Sequence, residues 1–307
     1  MDVIETRDLG RIFGESPAVE GLTLNIGRGE IFGLVGPDGA GKTTTMRMLT
    51  AILTPTSGEA RVLGLDVRTE GEAIKDRIGY MSQRFGLYPD LTVEENIVFY
   101  ADLYGVPRKE RPARMTELLG FSNLTPFRRR AAANLSGGMK QKLGLACALI
   151  HTPEVLFLDE PTNGVDPVSR RDFWRILYRL LRDGVTIFVS TAYLDEAERC
   201  GRVALMDKGR VLACDTPQGV KGLLEGTMVE IPCGDSRRAA ARLREAGLAH
   251  VAAFGDRVHA ALPGGGATPS SLAALLRDAG LSPGEARVVE PSLEDVFMAA
   301  VGGEEAP

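Results

Sequence analysis

A glycine-rich loop between a buried strand and a helix constrains the fold of this chain more than any other feature. The apolar segment EIFGLVG predicts a strand, and KTTTMRMLTAIL predicts a helix. Between them GPDGAGKT fits the pattern G-x-x-x-x-G-K-[S/T], whose glycines let backbone N–H groups turn toward phosphate oxygens beside a helix N-terminus. We therefore expect a nucleotide-binding loop in an α/β domain, formed by Gly36, Pro37, Asp38, Gly39, Ala40, Gly41, Lys42, Thr43 and Thr44.

Two acids after a second apolar strand supply the other half of such a site. The segment VLFLDEP ends its strand in Asp159 and Glu160. In this arrangement Lys42 is expected to reach the β- and γ-phosphates, while the Thr43 hydroxyl ligates Mg²⁺. Asp159 is expected to hold the magnesium through water, and Glu160 to act as general base on the attacking water. The sequence thus predicts ATP and Mg²⁺ as ligands.

The order of the segments predicts how the chain is organised. A third apolar strand, TIFVS, alternates with helical segments, which indicates a parallel sheet with helices on its faces. Residues from about 85 to 145 read as a helical insertion. After residue 225 short strands and Ala/Arg-rich helices follow, which predicts a separate α+β module at 226–307.

The composition and net charge of the chain limit the classes of function that we expect. The net charge of −5 gives no general electrostatic reason to expect nucleic acid as a partner. No apolar run approaches the ~18 residues that span a bilayer. We therefore expect any role at a membrane to depend on a partner protein. The N-terminus lacks the pattern of a signal peptide. Four scattered cysteines and three dispersed histidines favour reduced thiols and argue against a protein-built zinc site.

The stretch NLSGGMKQK predicts a second anion-binding helix end. Ser136 is placed to cap a helix whose first turn contains Gly137 and Gly138. One nucleotide does not need two such ends from one subunit, but two subunits placed head to tail do. We therefore expect each ATP to be gripped by the loop of one subunit and by the Ser-Gly-Gly segment of the other.

These motifs, in this order, resemble the ATP-binding cassette (ABC) family over about residues 3–225. The resemblance rests on GPDGAGKT, GYMSQRFGLYPDLTVEEN, LSGGM, LFLDEP and NGVDP. It implies a P-loop NTPase fold of the ABC ATPase type: a mixed α/β sheet with helices and a helical subdomain at about 85–145, within a domain at 1–225. It also implies ATPase activity coupled to transport.

The resemblance assigns further roles that the residues alone do not. Phe13 is expected to stack on adenine with Val19 beside it, although a core role for Phe13 stays open. Gln83 is expected to touch Mg²⁺ or the attacking water, with an ordinary loop position as the alternative. Asp166, which is also placed to cap a helix, is expected at the dimer interface between two cassettes.

More narrowly, the chain looks like subunits that serve export-type permeases, including exporters of drugs or other hydrophobic compounds. This narrower resemblance rests on the segments STAYLDEAERC, PTNGVDPVSRR and EPSLEDVFM. The C-terminal module resembles the accessory domain of such subunits. The implied partners are membrane-spanning permease subunits that dock on the helical insertion and a second cassette, identical or not. The implied location is cytoplasmic, at the inner face of the membrane. The alternatives are a non-hydrolysing ATP-dependent regulator and a soluble non-transport ABC ATPase.

One position departs from the family pattern. Where most members carry a histidine that contacts the γ-phosphate and the attacking water, this chain has Ala192. Tyr193 is expected to point elsewhere, and Asp38 stands where asparagine is commoner. We expect the site to bind ATP well and to hydrolyse it slowly. The alternative is compensation by a rearranged water or another side chain.

Overall fold

A computed structural model of the chain describes residues 2–84, 86–224, 226–248, 250–262 and 268–302. Contacts between Cα atoms divide the chain into two compact units, Met1–Val211 and Leu212–Pro307. The change in sequence pattern predicts the domain boundary at residue 225 instead, and this boundary stays a prediction. Within the described residues no helix has both the length and the apolar character that a membrane crossing requires.

The three apolar strands that the sequence predicts are present as β3, β7 and β8, among further strands and helices. The strands are β1 (Asp2–Phe13), β2 (Ser16–Gly27), β3 (Ile31–Val35), β4 (Ser57–Val62), β5 (Leu65–Asp66), β6 (Ile78–Met81), β7 (Val155–Asp159), β8 (Thr186–Thr191), β9 (Arg202–Asp207), β10 (Arg210–Asp215), β11 (Thr227–Pro232), β12 (Val251–Phe254), β13 (Arg257–Leu262) and β14 (Arg287–Val288). The helices are α1 (Lys42–Leu49), α2 (Gly71–Lys75), α3 (Val93–Leu103), α4 (Arg111–Phe121), α5 (Gly137–Leu149), α6 (Pro167–Arg182), α7 (Leu194–Ala197), α8 (Pro217–Lys221), α9 (Ser236–Glu245), α10 (Pro269–Asp278) and α11 (Leu293–Gly302).

The strands β1 to β10 form two sheets. An antiparallel sheet has the strand order β2-β1-β4-β5. The second sheet has the order β10-β9-β3-β8-β7-β6, in which β3, β6, β7, β8 and β9 pair in parallel. Every residue of β3, β7 and β8 is buried, as expected for strands covered on both faces. The predicted α/β fold with a mixed arrangement of strands is confirmed.

The predicted helical insertion contains α3, α4 and the start of α5. These helices share an apolar core of their own, which includes Ile97, Met115 and Leu143. The helix α3 begins with a capping box, in which the Thr92 side chain accepts a hydrogen bond from the Glu95 N–H while Glu95 reaches back to the Thr92 N–H. Residue 85, where the helical subdomain is predicted to begin, lies outside the described residues.

Helix α6 follows the local signals in its sequence. The Asp166 carboxylate accepts hydrogen bonds from the N–H groups of residues 168 and 169 and so caps the helix, with Pro167 in the first position. Phe173, Trp174 and Leu177 are buried on its inner face. The predicted cap is confirmed.

The second unit is a small α+β module. Its antiparallel sheet has the order β12-β13-β11-β14, and α9 packs on β12 and β13. Its apolar core includes Val229, Ile231 and Leu243. This architecture agrees with the α+β module predicted for 226–307, of which residues 225, 249, 263–267 and 303–307 lie outside the described residues.

Candidate active site

The carboxyl ends of three neighbouring parallel strands bring the predicted site residues to one edge of the sheet. Val35 at the end of β3 pairs with Thr191 of β8, and Asp159 at the end of β7 pairs with Ser190 of β8. The glycine loop, the two acids and the turn at Ala192 therefore follow three adjacent strand ends. This edge is where open α/β sheets bind their ligands.

The glycine loop needs its glycines for two different reasons. A Cβ added to Gly36 would lie 2.0 Å from the Met206 carbonyl oxygen, so the backbone of β9 leaves no room for a side chain. Gly41 has a φ of 103°, in the left-handed region that disfavours other residues, and caps α1. Since α1 begins at Lys42, the loop delivers the positive end of a helix to the site.

Lys42 is buried beside the loop and points back into it. Its Nζ donates to the carbonyl oxygens of Gly36 at 2.7 Å and Pro37 at 2.9 Å. It also lies 3.0 Å from Oε1 of Glu160, and the two side chains are only 4% and 8% exposed. The lysine and the predicted general base are therefore direct partners. A triphosphate that engages Lys42 competes with this ion pair.

Asp159 is the polar centre beneath the loop. Its Oδ1 accepts hydrogen bonds from the hydroxyls of Thr43 at 3.1 Å and Ser190 at 2.7 Å. Its Oδ2 is buried and has no hydrogen-bond partner among the described residues. Burial raises the pKa of Asp159, while the two hydroxyl donors act in the opposite direction. A cation at this carboxylate would satisfy the bare oxygen and favour the charged form, so the residues present fit Mg²⁺.

Glu160 is held by donors on both carboxylate oxygens. Besides Lys42 on Oε1, Oε2 accepts from Gln83 Nε2 at 3.0 Å and from Asn163 Nδ2 at 3.2 Å. The Glu160 N–H donates to Ser190 Oγ at 3.0 Å. Its φ of 48° is left-handed, a conformation that costs a non-glycine residue roughly 1 kcal/mol. The structure thus brings Gln83, Lys42 and Glu160 together, while the role of Gln83 toward Mg²⁺ or the attacking water stays a prediction.

A cavity of about 320 Å³ opens beside the glycine loop. It is lined by the loop residues 38, 39 and 41–44, by Ala18, and by Gln83 and Glu160. Such a volume lies within the range of small-molecule sites. In the described part of the chain Ser136 is not among the lining residues. This separation is what we expect if Ser136 serves the nucleotide of another subunit.

A smaller cavity of about 110 Å³ lies beside Ala192. Its lining includes Asp38, Glu160, Asn163, Ala192 and Tyr193. The expectation that Tyr193 points elsewhere is wrong, because its hydroxyl lies 3.4 Å from Oδ1 of Asn163, which in turn contacts Glu160. The reason is tertiary: the ring of Tyr193 packs under the guanidinium of Arg170, 4.2 Å away.

The matches to known proteins agree with this geometry. A family model described as "ABC transporter" matches residues 19–163. The chain is also 35% identical to the daunorubicin resistance ATP-binding protein DrrA2 of Streptomyces coeruleorubidus, covering 94% of this chain and 92% of that protein.

The chain belongs to the ABC transporter family.

Within this family it is similar to ATP-binding proteins of drug resistance and export. It is 44% identical over 222 residues to the probable multidrug ABC transporter ATP-binding protein YbhF of Escherichia coli, of which it spans 38%. Among solved structures, an ATP-binding subunit of an ABC transporter is 29% identical with a TM-score of 0.65, covering 72% of this chain and 92% of that one. A dimeric post-hydrolysis cassette bound to ADP and Pi is 28% identical, with a TM-score of 0.63 over 69% and 98% of the two chains.

Of the remaining predicted site residues, Phe13, Ser136 and Asp166 are exposed, whereas Val19 is buried. Phe13 ends β1 with 48% of its surface exposed and the Arg11 guanidinium 4.7 Å from its ring centroid, so the alternative of a core role is wrong. Val19 is buried, within 3.3 Å of the place where a Gly41 side chain would begin. Ser136 is exposed and caps α5 by accepting from the Met139 N–H at 3.3 Å. The roles of Phe13, Val19 and Ser136 toward ATP, and of Asp166 toward a second cassette, stay predictions.

Three further residues near the site are not among those that the sequence predicts. Ser190 bridges Asp159 and Glu160, Asn163 holds Glu160, and the buried Glu196 accepts from the hydroxyls of Thr162 and Thr191. In the sequence, Ser190 is a polar residue at the end of a predicted strand, Asn163 is the first residue of NGVDP, and Glu196 lies within STAYLDEAERC. These signals are weak alone, because they do not say which side chains the three residues contact.

Proposed function

We propose that this chain binds ATP with Mg²⁺ and hydrolyses it to drive a membrane permease of the export type. The observation that carries the proposal is the cluster of Lys42, Gln83 and Glu160 beside Asp159 at the end of three parallel strands. Lysine binds phosphate, and a carboxylate beside it accepts the proton of a water.

In this proposal the loop amides and the N-terminus of α1 bind the phosphates, and Lys42 turns from Glu160 to the transferred phosphoryl group. Thr43, Asp159 and Gln83 would hold Mg²⁺, which when bound neutralises charge on the phosphate oxygens. Release of the Lys42 ion pair frees Oε1 of Glu160 to accept a proton. Gln83 keeps the carboxylate in place through its 3.0 Å hydrogen bond to Oε2.

Ala192 supports slow turnover at this site. The alanine offers no donor to a developing charge on the phosphoryl group, and loss of one such contact typically costs ~10²–10³ in rate. Binding depends on the loop and on Lys42, which are intact. Ser136, exposed at the start of α5, remains available to the ATP of a second cassette, either identical to this chain or different from it.

The helical subdomain offers a surface for a permease. A cavity of about 620 Å³ lies along α3, lined among others by Glu94, Phe99 and Arg129. Phe99 is 37% exposed and Leu103, on the same helix, 64% exposed. Exposed apolar side chains beside paired charges suit the cytoplasmic end of a membrane protein. The names of the relatives favour drugs or other hydrophobic compounds as the exported class, with the chain at the cytoplasmic face of the membrane.

The test is ATP turnover by the full chain with two matched variants. Glu160→Gln, at the carboxyl end of β7, is expected to lower kcat by ~10²-fold or more while retaining ATP binding. Glu154→Gln, just before the other end of β7, breaks surface ion pairs with Arg28 and Arg77 and is expected to leave kcat unchanged.

A chain that binds ATP without Glu160-dependent turnover would instead be a regulatory cassette. A chain that does not bind ATP would refute the proposal altogether. The transport role is tested separately, by affinity purification from a detergent extract: a co-purifying membrane permease supports it, and ribosomal or other soluble partners alone contradict it.

A further inference from the structure

Asn163 lies where the loop after β7 meets the turn at Ala192, and its side-chain amide both donates and accepts a hydrogen bond. Its Nδ2 donates to Oε2 of Glu160 at 3.2 Å, and its Oδ1 accepts from the Tyr193 hydroxyl at 3.4 Å. Its backbone N–H donates to the Glu160 carbonyl oxygen at 3.2 Å, which closes a turn. Asn163 is therefore a bridge between Glu160 and the residue that follows Ala192.

Tyr193 is itself fixed in place. Its ring lies 4.2 Å from the Arg170 guanidinium, a cation–π contact. Its backbone N–H donates to the Thr191 hydroxyl at 3.0 Å. Arg170 also approaches Asp195 at 3.6 Å and Glu196 at 3.4 Å, so the cation above the ring has two carboxylates to hold it. The phenol hydroxyl is thus presented to Asn163 by a rigid arrangement.

The loop that carries Asn163 is anchored one residue earlier. Glu196 is fully buried and accepts from the hydroxyls of Thr162 at 2.5 Å and Thr191 at 2.8 Å. One carboxylate therefore ties the loop after Glu160 to the end of β8. Because buried polar groups are costly unless satisfied, this link keeps the two segments in register.

We propose that Asn163 is a positioning residue for Glu160, and that Tyr193, by orienting Asn163, replaces part of what a side chain at position 192 would do. This inference rests on the proposed function. When ATP engages Lys42, the ion pair to Oε1 is lost and the donors from Gln83 and Asn163 on Oε2 remain. Without Asn163 the carboxylate would keep one of these two amide donors.

The first test is the split between kcat and KM in the full chain. Asn163→Ala is expected to lower kcat about 10-fold, with the KM for ATP within ~2-fold, as for loss of one hydrogen bond to a charged group. Tyr193→Phe removes only the hydroxyl and is expected to give a smaller loss of the same kind. Asn25→Ala is the matched control, because Asn25 also donates to a carboxylate, that of Asp2 at 3.0 Å, and both side chains are exposed.

The second test is a double-mutant cycle with Ala192→His. If the Tyr193–Asn163 pair stands in for the missing side chain, Tyr193→Phe costs less in the Ala192→His background than in the native chain. Equal costs in both backgrounds overturn the role of Tyr193. A native rate for Asn163→Ala, or a loss of melting temperature and ATP affinity that accounts for the lower rate, overturns the role of Asn163.

A spectroscopic measurement separates this inference from the proposed function. The ¹³C chemical shift of the Glu160 carboxyl carbon is expected to move in Asn163→Ala and not in Asn25→Ala, whether or not the chain hydrolyses ATP. An unchanged shift refutes the contact. A changed shift in a chain without Glu160-dependent turnover refutes the proposed hydrolysis and leaves the contact standing.

Discussion

Replacing Ala192 by histidine is the sharpest perturbation that this structure offers. The methyl group of Ala192 lines a cavity of about 110 Å³ that Glu160, Asn163 and Tyr193 also line. A single water needs only ~10–15 Å³ of such volume, so the space is large enough for a side chain. An imidazole grown from position 192 would enter it and face Glu160.

The expected magnitude follows from what the imidazole adds. One preorganised donor to the charge that develops in the transition state is worth ~10²–10³ in rate, or about 3–4 kcal/mol. Part of this gain is expected to be absent because Asn163 already holds Glu160 from the same cavity. We therefore expect Ala192→His to raise kcat by about 100-fold, the lower end of that range. ATP affinity, set by the loop and Lys42, is expected to change by no more than ~3-fold.

The assay is steady-state and single-turnover ATP hydrolysis by the purified chain at saturating Mg²⁺, with ATP affinity measured separately. Ala192→Leu is the matched control, since it fills the same cavity without a donor, and its rate is expected to stay at the native value or to fall. An unchanged kcat in Ala192→His would refute the idea that alanine limits this site. An equal rise in Ala192→Leu would show that bulk, and not a donor, was missing.

Two further predictions concern the loop and the second unit. Gly36→Ala places a Cβ 2.0 Å from the Met206 carbonyl oxygen, and we expect a loss of roughly 1–3 kcal/mol in the free energy of unfolding and weaker ATP binding. Gly137→Ala is expected to be neutral in urea unfolding, because no atom of the described residues lies within 4 Å of the added Cβ. The hydrogen bond to Asp295 raises the pKa of His259. Its stabilising effect is therefore complete below the ordinary histidine pKa of about 6.5 and is lost as pH rises through the raised value. The native chain should lose stability relative to His259→Gln between these limits in urea titrations, and a pH-independent difference would contradict the assignment.

The sequence by itself determined the local structure of this protein. The glycine loop between β3 and α1 and the caps Ser136 and Asp166 follow from torsion angles and hydrogen bonds among residues a few positions apart. The apolar runs of β3, β7 and β8 likewise required burial on both faces of a sheet. Such short-range effects depend on the order of residues along the chain. The phosphate loop, the two acids and the α/β fold were therefore predictable from the sequence.

Only the tertiary structure decided which side chains meet. Thr43 and Asp159 are 116 positions apart, and their contact depends on the pairing order β3-β8-β7. The same register brings Glu160 to Lys42. The direction of Tyr193 was predicted wrongly because Arg170, on a different helix, holds its ring. Contacts between distant segments depend on how sheets and helices pack. The sequence around each residue does not indicate which distant side chain it will contact.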